Sequence, residues 1–302
     1  MVPAPESPLP RLRSHGLSAP TGEEFQAAVR RAAGAGADAV WAHACERAGV
    51  EPSATLLPVE RLEALADALS EEPGRTGTVG VALGVRIRSY RALAARPGIH
   101  GERTYDPGRR TLEKLLRTRL PDDARMGEVA DLDLFSPEAR RRLDEAARRA
   151  ADRFGTAIGL ISIVLEDAQY FAGSHGLDGW LAEVQGTPVE WSFCATTVRS
   201  REPYVVADAA EDVVQRANPL VEKDGVGFYA GVPLITSRGQ VIGSHCILGA
   251  PRESFGEEEV AVLRALADEV VALLESTRPA PASRPGGAPP AEVSGKSPHP
   301  LG

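Results

Sequence analysis

The stretch from Gly227 to Gly249, GFYAGVPLITSRGQVIGSHCILG, constrains the fold more than any other part of the chain. Two apolar runs flank the short polar segment TSRG at 236–239, which ends in a glycine able to adopt positive φ. Two such runs joined by a short glycine-containing segment are typical of a β-hairpin. Both faces of the first strand carry apolar or small side chains, so we expect both faces of the sheet to be covered there.

Alternation along these strands limits which residues can face one cavity. Successive side chains of a strand point to opposite faces, so Phe228 and Tyr229 lie on opposite sides of the first strand. His245 and Cys246 likewise lie on opposite sides of the second strand. One member of each pair faces a cavity beside the sheet, and the sequence leaves open which one.

The bulk composition excludes several classes of protein. A chain of 302 residues with 43% hydrophobic content is long enough for one or two globular domains. It has no apolar run long enough to cross a bilayer and no secretory signal at its start, so we expect a cytoplasmic protein without a membrane role. The net charge of -8 argues against broad contact with nucleic acid. The cysteines at 45, 194 and 246 lack CxxC spacing, which argues against a disulfide framework or a cysteine-based metal site.

Composition and periodicity divide the chain into five segments. We expect a disordered tail at 1–20, a helical region at 21–96, a linker with a short helix at 97–136, an α+β domain at 137–276, and a disordered Pro/Gly-rich tail at 277–302. The third predicted helix of the N-terminal region and its end carry four arginines, Arg86, Arg88, Arg91 and Arg96. They suit either an acidic or nucleic-acid partner or a solvated helix face, and we prefer the solvated face.

Several linked motifs of the α+β segment resemble the GAF domain, in a subtype found in bacterial signalling proteins. They are Ser192-Phe193-Cys194, Tyr204-Val205-Val206-Ala207-Asp208, Asn218-Pro219-Leu220-Val221, Phe228-Tyr229-Ala230-Gly231-Val232-Pro233-Leu234 and Ile242-Gly243-Ser244. The resemblance implies a central antiparallel sheet with helices on both faces. The first and last helices would pack on one face, and short helices and loops would cover a small-molecule pocket on the other.

The same resemblance implies partners. In this family the terminal helices commonly pair between subunits, so it implies a homodimer through helices 137–154 and 257–276. The N-terminal helices match no known output module, and we expect them to serve an unidentified protein partner or to support the dimer. The chain lacks the Asn-Lys-Phe-Asp-Glu signature of cyclic-nucleotide-binding members, and nothing in the sequence supports haem or another chromophore, so the cofactor stays unknown. The subtype usually has an aliphatic residue at the position of His245.

Eight residues are candidates for ligand binding: Phe193, Cys194, Thr197, Asp208, Asn218, Phe228, Tyr229 and His245. Each has a structural alternative. Cys194 lies at a predicted helix N-terminus, where a thiol pKa is lowered, but a buried cysteine also fills a small apolar gap. His245 suits a ligand contact or a satisfied core position. Asp208 and Asn218 are also ordinary capping and turn residues.

The sequence shows no Ser/His/Asp order, glycine-rich phosphate loop or His/Glu metal spacing, so an enzyme is not the leading hypothesis. The leading hypothesis is a cytosolic sensory or regulatory protein that binds a small molecule on the sheet face and transmits occupancy through its terminal helices. A first alternative is a redox sensor or redox enzyme on the same fold that uses Cys194. A second is a dimerisation scaffold whose pocket is filled by side chains.

Overall fold

The computed structural model describes residues 17, 20–54, 57–94, 122–276 and 278. Most of both expected tails and the short helix expected near 111–120 lie outside this range. Among the described residues, no helix combines the length and the apolar character that a bilayer crossing requires.

The described part of the N-terminal region contains four helices. They are α1 (Gly22–Ala33), α2 (Ala37–Ala48), α3 (Val59–Ser70) and α4 (Arg75–Ala94). The apolar spacing over 23–49 predicts one helix, whereas the structure divides this segment at a short 3-10 turn, Gly34–Gly36. Gly34 has a φ of +54°, a left-handed conformation that glycine adopts without steric cost, so the chain leaves the α-helix there.

The four helices share one apolar core. Its larger members are Phe25, Val29, Trp41, Leu62, Leu65, Leu69, Leu83 and Ile87. Helices α3 and α4 approach closely at Gly80, where a Cβ atom would lie 2.2 Å from the backbone nitrogen of Ser70. A glycine at this position therefore permits the backbone contact.

The second region is an α+β domain around a six-stranded antiparallel sheet. Its helices are α5 (Asp123–Ala130), α6 (Pro137–Phe154), α7 (Gly179–Val184), α8 (Phe193–Ser200), α9 (Pro219–Glu222) and α10 (Glu257–Ser276). Its strands are β1 (Ile158–Val164), β2 (Ala168–His175), β3 (Gly186–Pro188), β4 (Tyr204–Val206), β5 (Phe228–Ile235) and β6 (Val241–Gly249). The strand order is β3-β2-β1-β6-β5-β4. This architecture confirms the expected fold class and places the predicted hairpin, β5 and β6, inside the sheet.

The two faces of the sheet have different covers. On one face, which we call the helix face, β-strand side chains pack under α6 and α10, and Arg149 joins these two helices through a 3.0 Å ion pair with Glu269. On the other face lie α7, α8 and the segment 207–226. We call α8 together with 207–226 the lid, and we call the sheet surface beneath it the lid face. The helices and loops expected on each face are thus in place.

Helix α4 covers the sheet edge formed by β3. Val85 contacts this edge so closely that a Cβ at Gly186 would lie 2.9 Å from its methyl groups. Farther along the same helix, Tyr90 and Leu93 belong to the core on the lid face. The N-terminal region is therefore packed against the α+β domain, and the edge strand is shielded from pairing with another chain.

Candidate functional site

The lid helix α8 begins at a residue whose side chain holds it in place. Ser192 is the N-cap, and its hydroxyl accepts a hydrogen bond from the Ala195 backbone N–H at 2.9 Å. The Ser192 hydroxyl also contacts the side-chain oxygen of Gln169 on β2. The start of the helix is thereby attached to the sheet, and Phe193, Cys194 and Thr197 are all buried beneath it.

Tyr229 occupies the centre of the space between the lid and the sheet. Its ring stacks on Phe193 with centroids 5.1 Å apart, and its hydroxyl lies 3.2 Å from Thr197 Oγ1 and 3.3 Å from Ser244 Oγ. Tyr204 packs against the same ring at 5.8 Å. A buried hydroxyl needs such partners, and the three hydroxyls satisfy one another here.

The hydroxyl of Tyr229 fills space that a glycine leaves free. A Cβ atom at Gly231 would lie 2.1 Å from Tyr229 Oη and 2.7 Å from Ser244 Oγ. The Tyr229 side chain therefore lies along its own strand, over Gly231. The Tyr229 side chain thus fills the space between the lid and the sheet at this point.

Two of the three cysteines meet at the same place. The sulfur atoms of Cys194 on α8 and Cys246 on β6 lie 3.6 Å apart, and both residues are buried. Burial acts to raise the pKa of the Cys194 thiol, but hydrogen bonds from Cys246 and three hydroxyl side chains together outweigh it, so that pKa lies below its ordinary value. Burial raises the pKa of Cys246 well above its ordinary value, and the neighbouring Cys194 adds to this effect.

Phe228 and His245 lie on the helix face, away from this cluster. Phe228 packs on Phe255 with ring centroids 5.6 Å apart, and the Arg252 guanidinium lies 5.3 Å from its ring. His245 is fully buried beneath the terminal helices. Because successive strand residues face opposite sides, Phe228 and Tyr229 cannot face the same cavity, nor can His245 and Cys246. The structure places Tyr229 and Cys246 on the lid face.

The environment of His245 is unusual for a histidine. Neither ring nitrogen forms a hydrogen bond of standard geometry among the residues that the structure describes, and the Leu266 backbone is only a weak partner. Burial and, to a lesser extent, the charge of Arg149 lower the pKa of His245 to about 4, while the backbone of Leu266 has a small opposing effect. The imidazole is therefore neutral at pH 7.

Asp208 and Asn218 form structural hydrogen bonds instead of facing the cluster. The Asp208 carboxylate accepts a hydrogen bond from the Ala210 backbone N–H at 3.0 Å. The Asn218 side chain donates to the Trp191 carbonyl at 3.0 Å and to Gln215 Oε1 at 2.9 Å, and it accepts from the Leu220 N–H at 3.0 Å. Asn218 thereby ties α9 to the turn that precedes α8.

Of the eight candidates, the structure thus brings together Phe193, Cys194, Thr197 and Tyr229. Sequence reasoning missed Ser244 and Cys246 as their partners, although alternation along β6 places both on the face that Tyr229 shares in the paired strand β5. It also missed Ser162, whose hydroxyl lies 3.3 Å from Gln169 Oε1 on the same face. A set of small polar residues at alternate positions of adjacent strands was the available signal.

Comparison with known proteins identifies the domain. The family model described as GAF domain matches residues 138–274. A cyclic di-GMP phosphodiesterase of Pseudomonas aeruginosa is 36% identical over 162 residues, which is 52% of this chain but 27% of that protein. The chain therefore spans about a quarter of the length of this relative.

Two solved structures illustrate the similarity. One is the type II free methionine-R-sulfoxide reductase of Thermoplasma acidophilum, with 16% identity and a TM-score of 0.40, covering 48% of this chain and 98% of that one. The other is the GAF domain of a phosphoenolpyruvate-protein phosphotransferase of Coxiella burnetii, with 18% identity and a TM-score of 0.40, covering 57% and 96%.

Proposed function

Because residues 138–274 form a GAF domain, a sensory and regulatory fold, we propose that this protein binds a small polar molecule between the sheet and the lid and transmits its presence to the terminal helices. One observation carries the proposal. A cluster of buried hydroxyl and thiol groups, with Tyr229 at its centre, lies where apolar packing would otherwise join the lid to the sheet. A fully apolar contact would avoid the desolvation of these groups. Their presence therefore favours a site in which a polar ligand can replace some of the hydrogen bonds within the cluster.

The ligand would replace contacts that Tyr229 makes in the structure described here. A guest carrying a hydrogen-bonding group can take the place of the Tyr229 hydroxyl between Thr197 and Ser244, which lie 3.2 Å and 3.3 Å from it. Phe193 and Tyr204 would then offer aromatic surfaces to the guest. The ligand shifts the protein only as far as its affinities for the closed and opened arrangements differ.

Strand β5 offers a route from this site to the terminal helices. Tyr229 faces the lid, and its neighbour Phe228 faces the helices and packs on Phe255. Phe255 and Arg252 lie just before α10, and Arg252 contacts Glu259 on its first turn at 3.5 Å. A displacement of β5 by the ligand would therefore reach the start of α10.

A metabolite thermal-shift screen on the full chain tests the binding proposal, and cyclic di-GMP belongs in it because of the relative named above. Specific binding to the folded state raises the apparent Tm in a saturable manner. We expect this stabilisation to be lost in Thr197→Val and Ser244→Ala, which remove the two hydroxyls that the guest would contact. It should be retained in Thr236→Val, a matched control whose buried hydroxyl lies at the tip of the hairpin, where it accepts from the Gln240 N–H.

The scaffold alternative has its own support, because Tyr229, Thr197 and Ser244 already satisfy one another without a guest. A screen in which no compound raises the apparent Tm would favour the scaffold. A stabiliser whose effect survives in Thr197→Val and Ser244→Ala would place binding elsewhere and contradict the proposed site.

We also propose that the protein is a homodimer through α6 and α10. The outer side of α10 exposes alanines at 261, 265 and 272, next to the partly exposed Val262, Leu266 and Leu273. Sedimentation of the wild type should show a dimer that Ala265→Glu weakens. Val213→Glu is the control, because Val213 is 78% exposed on the segment 207–226. A monomeric wild type, or an equal effect of both variants, would contradict this interface.

A further inference from the structure

The cysteine pair between the lid and the sheet has the geometry of two thiols close to bond formation. The sulfurs of Cys194 and Cys246 are 3.6 Å apart, although 52 positions separate the residues in the chain. A disulfide requires a separation near 2.05 Å, so the two atoms would have to approach by about 1.5 Å. Rotation of the side chains together with a small shift of one element achieves such an approach.

The two cysteines stand on elements of different rigidity. Cys246 lies in β6, which is hydrogen-bonded to β1 on one side and to β5 on the other. Cys194 is the second residue of α8, which contacts the sheet through side chains. Closing the sulfur distance would therefore move the lid helix toward the sheet.

The environment also distinguishes the two thiols chemically. Hydrogen bonds from Cys246, Tyr229, Ser162 and Ser244 stabilise a thiolate at Cys194, whereas burial keeps Cys246 protonated. The position near the N-terminus of α8 adds to the stabilisation of an anion at Cys194. Because the thiolate is the nucleophilic form, Cys194 would react first and Cys246 second.

We propose that Cys194 and Cys246 form a reversible disulfide when the protein meets a peroxide, which attaches the lid covalently to the sheet. The Cys194 thiolate attacks one peroxide oxygen, the O–O bond breaks, and a sulfenic acid and hydroxide form. The Cys246 sulfur then attacks the Cys194 sulfur, the S–O bond breaks, and the hydroxide that leaves takes up the Cys246 proton as water. With hydrogen peroxide, two thiols and one peroxide thus give one disulfide and two waters, and an external dithiol reverses the change.

The disulfide would alter the candidate ligand site directly. Phe193 and Thr197 share α8 with Cys194, and both contact Tyr229. A lid drawn toward the sheet changes those contacts and opposes displacement of the Tyr229 side chain. The formation of the disulfide itself does not depend on the proposed ligand, so its test is made without any ligand.

The test maps disulfides in the native full chain. Wild-type protein is treated with graded hydrogen peroxide, alkylated, digested without reduction and analysed by mass spectrometry. We expect a linked peptide pair containing Cys194 and Cys246, which dithiothreitol removes, and a higher Tm of the oxidised protein because the cross-link restricts the unfolded chain. Cys45 is the internal control, since it is buried in a separate core and burial raises its pKa. It should stay free under the same treatment.

Three variants assign the roles of the sulfurs. In Cys246→Ala we expect a sulfenic acid at Cys194 that a 1,3-diketone probe traps, because the second thiol is missing. In Cys194→Ala we expect at least a tenfold smaller yield of probe adduct at Cys246. Cys45→Ala should behave as the wild type.

Several outcomes would overturn the inference. One is that both thiols remain free at a peroxide dose that oxidises glutathione added to the same sample. The others are a Cys194–Cys246 link that forms only in denaturant, and an adduct yield at Cys246 equal to that at Cys194. The mapping on wild-type protein decides the matter even where an alanine variant fails to fold.

Discussion

Replacing His245 by leucine should stabilise the protein and reduce its sensitivity to acid. In the wild type the imidazole is fully buried, and neither ring nitrogen forms a hydrogen bond of standard geometry among the described residues. A buried polar group without a partner lowers stability by about 1–3 kcal/mol. Leucine has a similar volume and no polar atoms, so we expect His245→Leu to raise the free energy of unfolding at pH 7.5 by a similar amount.

The pH dependence of the free energy of unfolding provides a second expected value for His245. The pKa of His245 is about 4 in the folded protein, against 6.5 for an ordinary histidine. Between these values the unfolded chain binds a proton that the folded protein excludes, so stability falls as the pH falls through this window. The full pKa shift of His245 changes the free energy of unfolding by about 3 kcal/mol. About 2 kcal/mol of this change occurs between pH 7.5 and pH 5.

The assay is urea denaturation of the wild type and His245→Leu at pH 7.5 and pH 5. A hydrogen bond from Arg148 lowers the pKa of Glu145, and at Glu275 the effect of burial is outweighed by hydrogen bonds from Ser237, which lower the pKa of that carboxyl. The stability that such carboxyls contribute is lost mainly below their ordinary pKa of 4.5, so a lower limit of pH 5 keeps most of that loss out of the comparison. The difference between the free energies of unfolding of the two proteins isolates the contribution of His245. We expect the advantage of the variant to grow by about 2 kcal/mol from pH 7.5 to pH 5.

His43→Gln is the control for this experiment. The His43 side chain is 57% exposed on α2, so its removal should leave the acid sensitivity of the wild type unchanged. The charge of Arg149 on α6 acts on His245, and both variants retain Arg149 and its ion-pair partner Glu269. A destabilised His245→Leu, or a stability difference that does not change with pH, would refute the reasoning.

Two further predictions concern the lid and the N-terminal helices. Tyr229→Phe removes the hydroxyl that Thr197 and Ser244 share, and denaturation should show a loss of about 1–3 kcal/mol, whereas an unchanged midpoint would mean that the two hydroxyls find new partners. Arg86 donates to both carboxylate oxygens of Glu190, at 2.9 Å and 3.1 Å, so Arg86→Met should increase hydrogen exchange in α4 and at the start of α8. A double-mutant cycle with Glu190→Gln should give a coupling of about 1–3 kcal/mol, and additive effects would contradict the proposed contact.

Much of the α+β domain could be predicted from local pattern. The helix 137–154 begins at Ser136, whose hydroxyl accepts from the Ala139 N–H, as the sequence of a cap followed by proline indicates. The helix 257–276 and the hairpin strands also match the expected segments closely. Local sequence determines these elements because periodicity and capping act within a few residues.

Other elements depend on contacts that the local sequence does not contain. The segment 176–186, which begins and ends with glycine, has the local pattern of a loop, yet the structure contains α7 and the beginning of β3 there. β3 has three residues and exists because it pairs with β2 and lies under α4. Such a short strand has too little pattern of its own to be recognised.

The sequence by itself determined that Phe228 opposes Tyr229 and that His245 opposes Cys246, because the period of a strand is two residues whatever surrounds it. Only the tertiary structure decided which member of each pair faces the lid and that Cys194 meets Cys246. Those outcomes depend on where α6, α8 and α10 cross the sheet, and many separate contacts along the chain determine these crossings together.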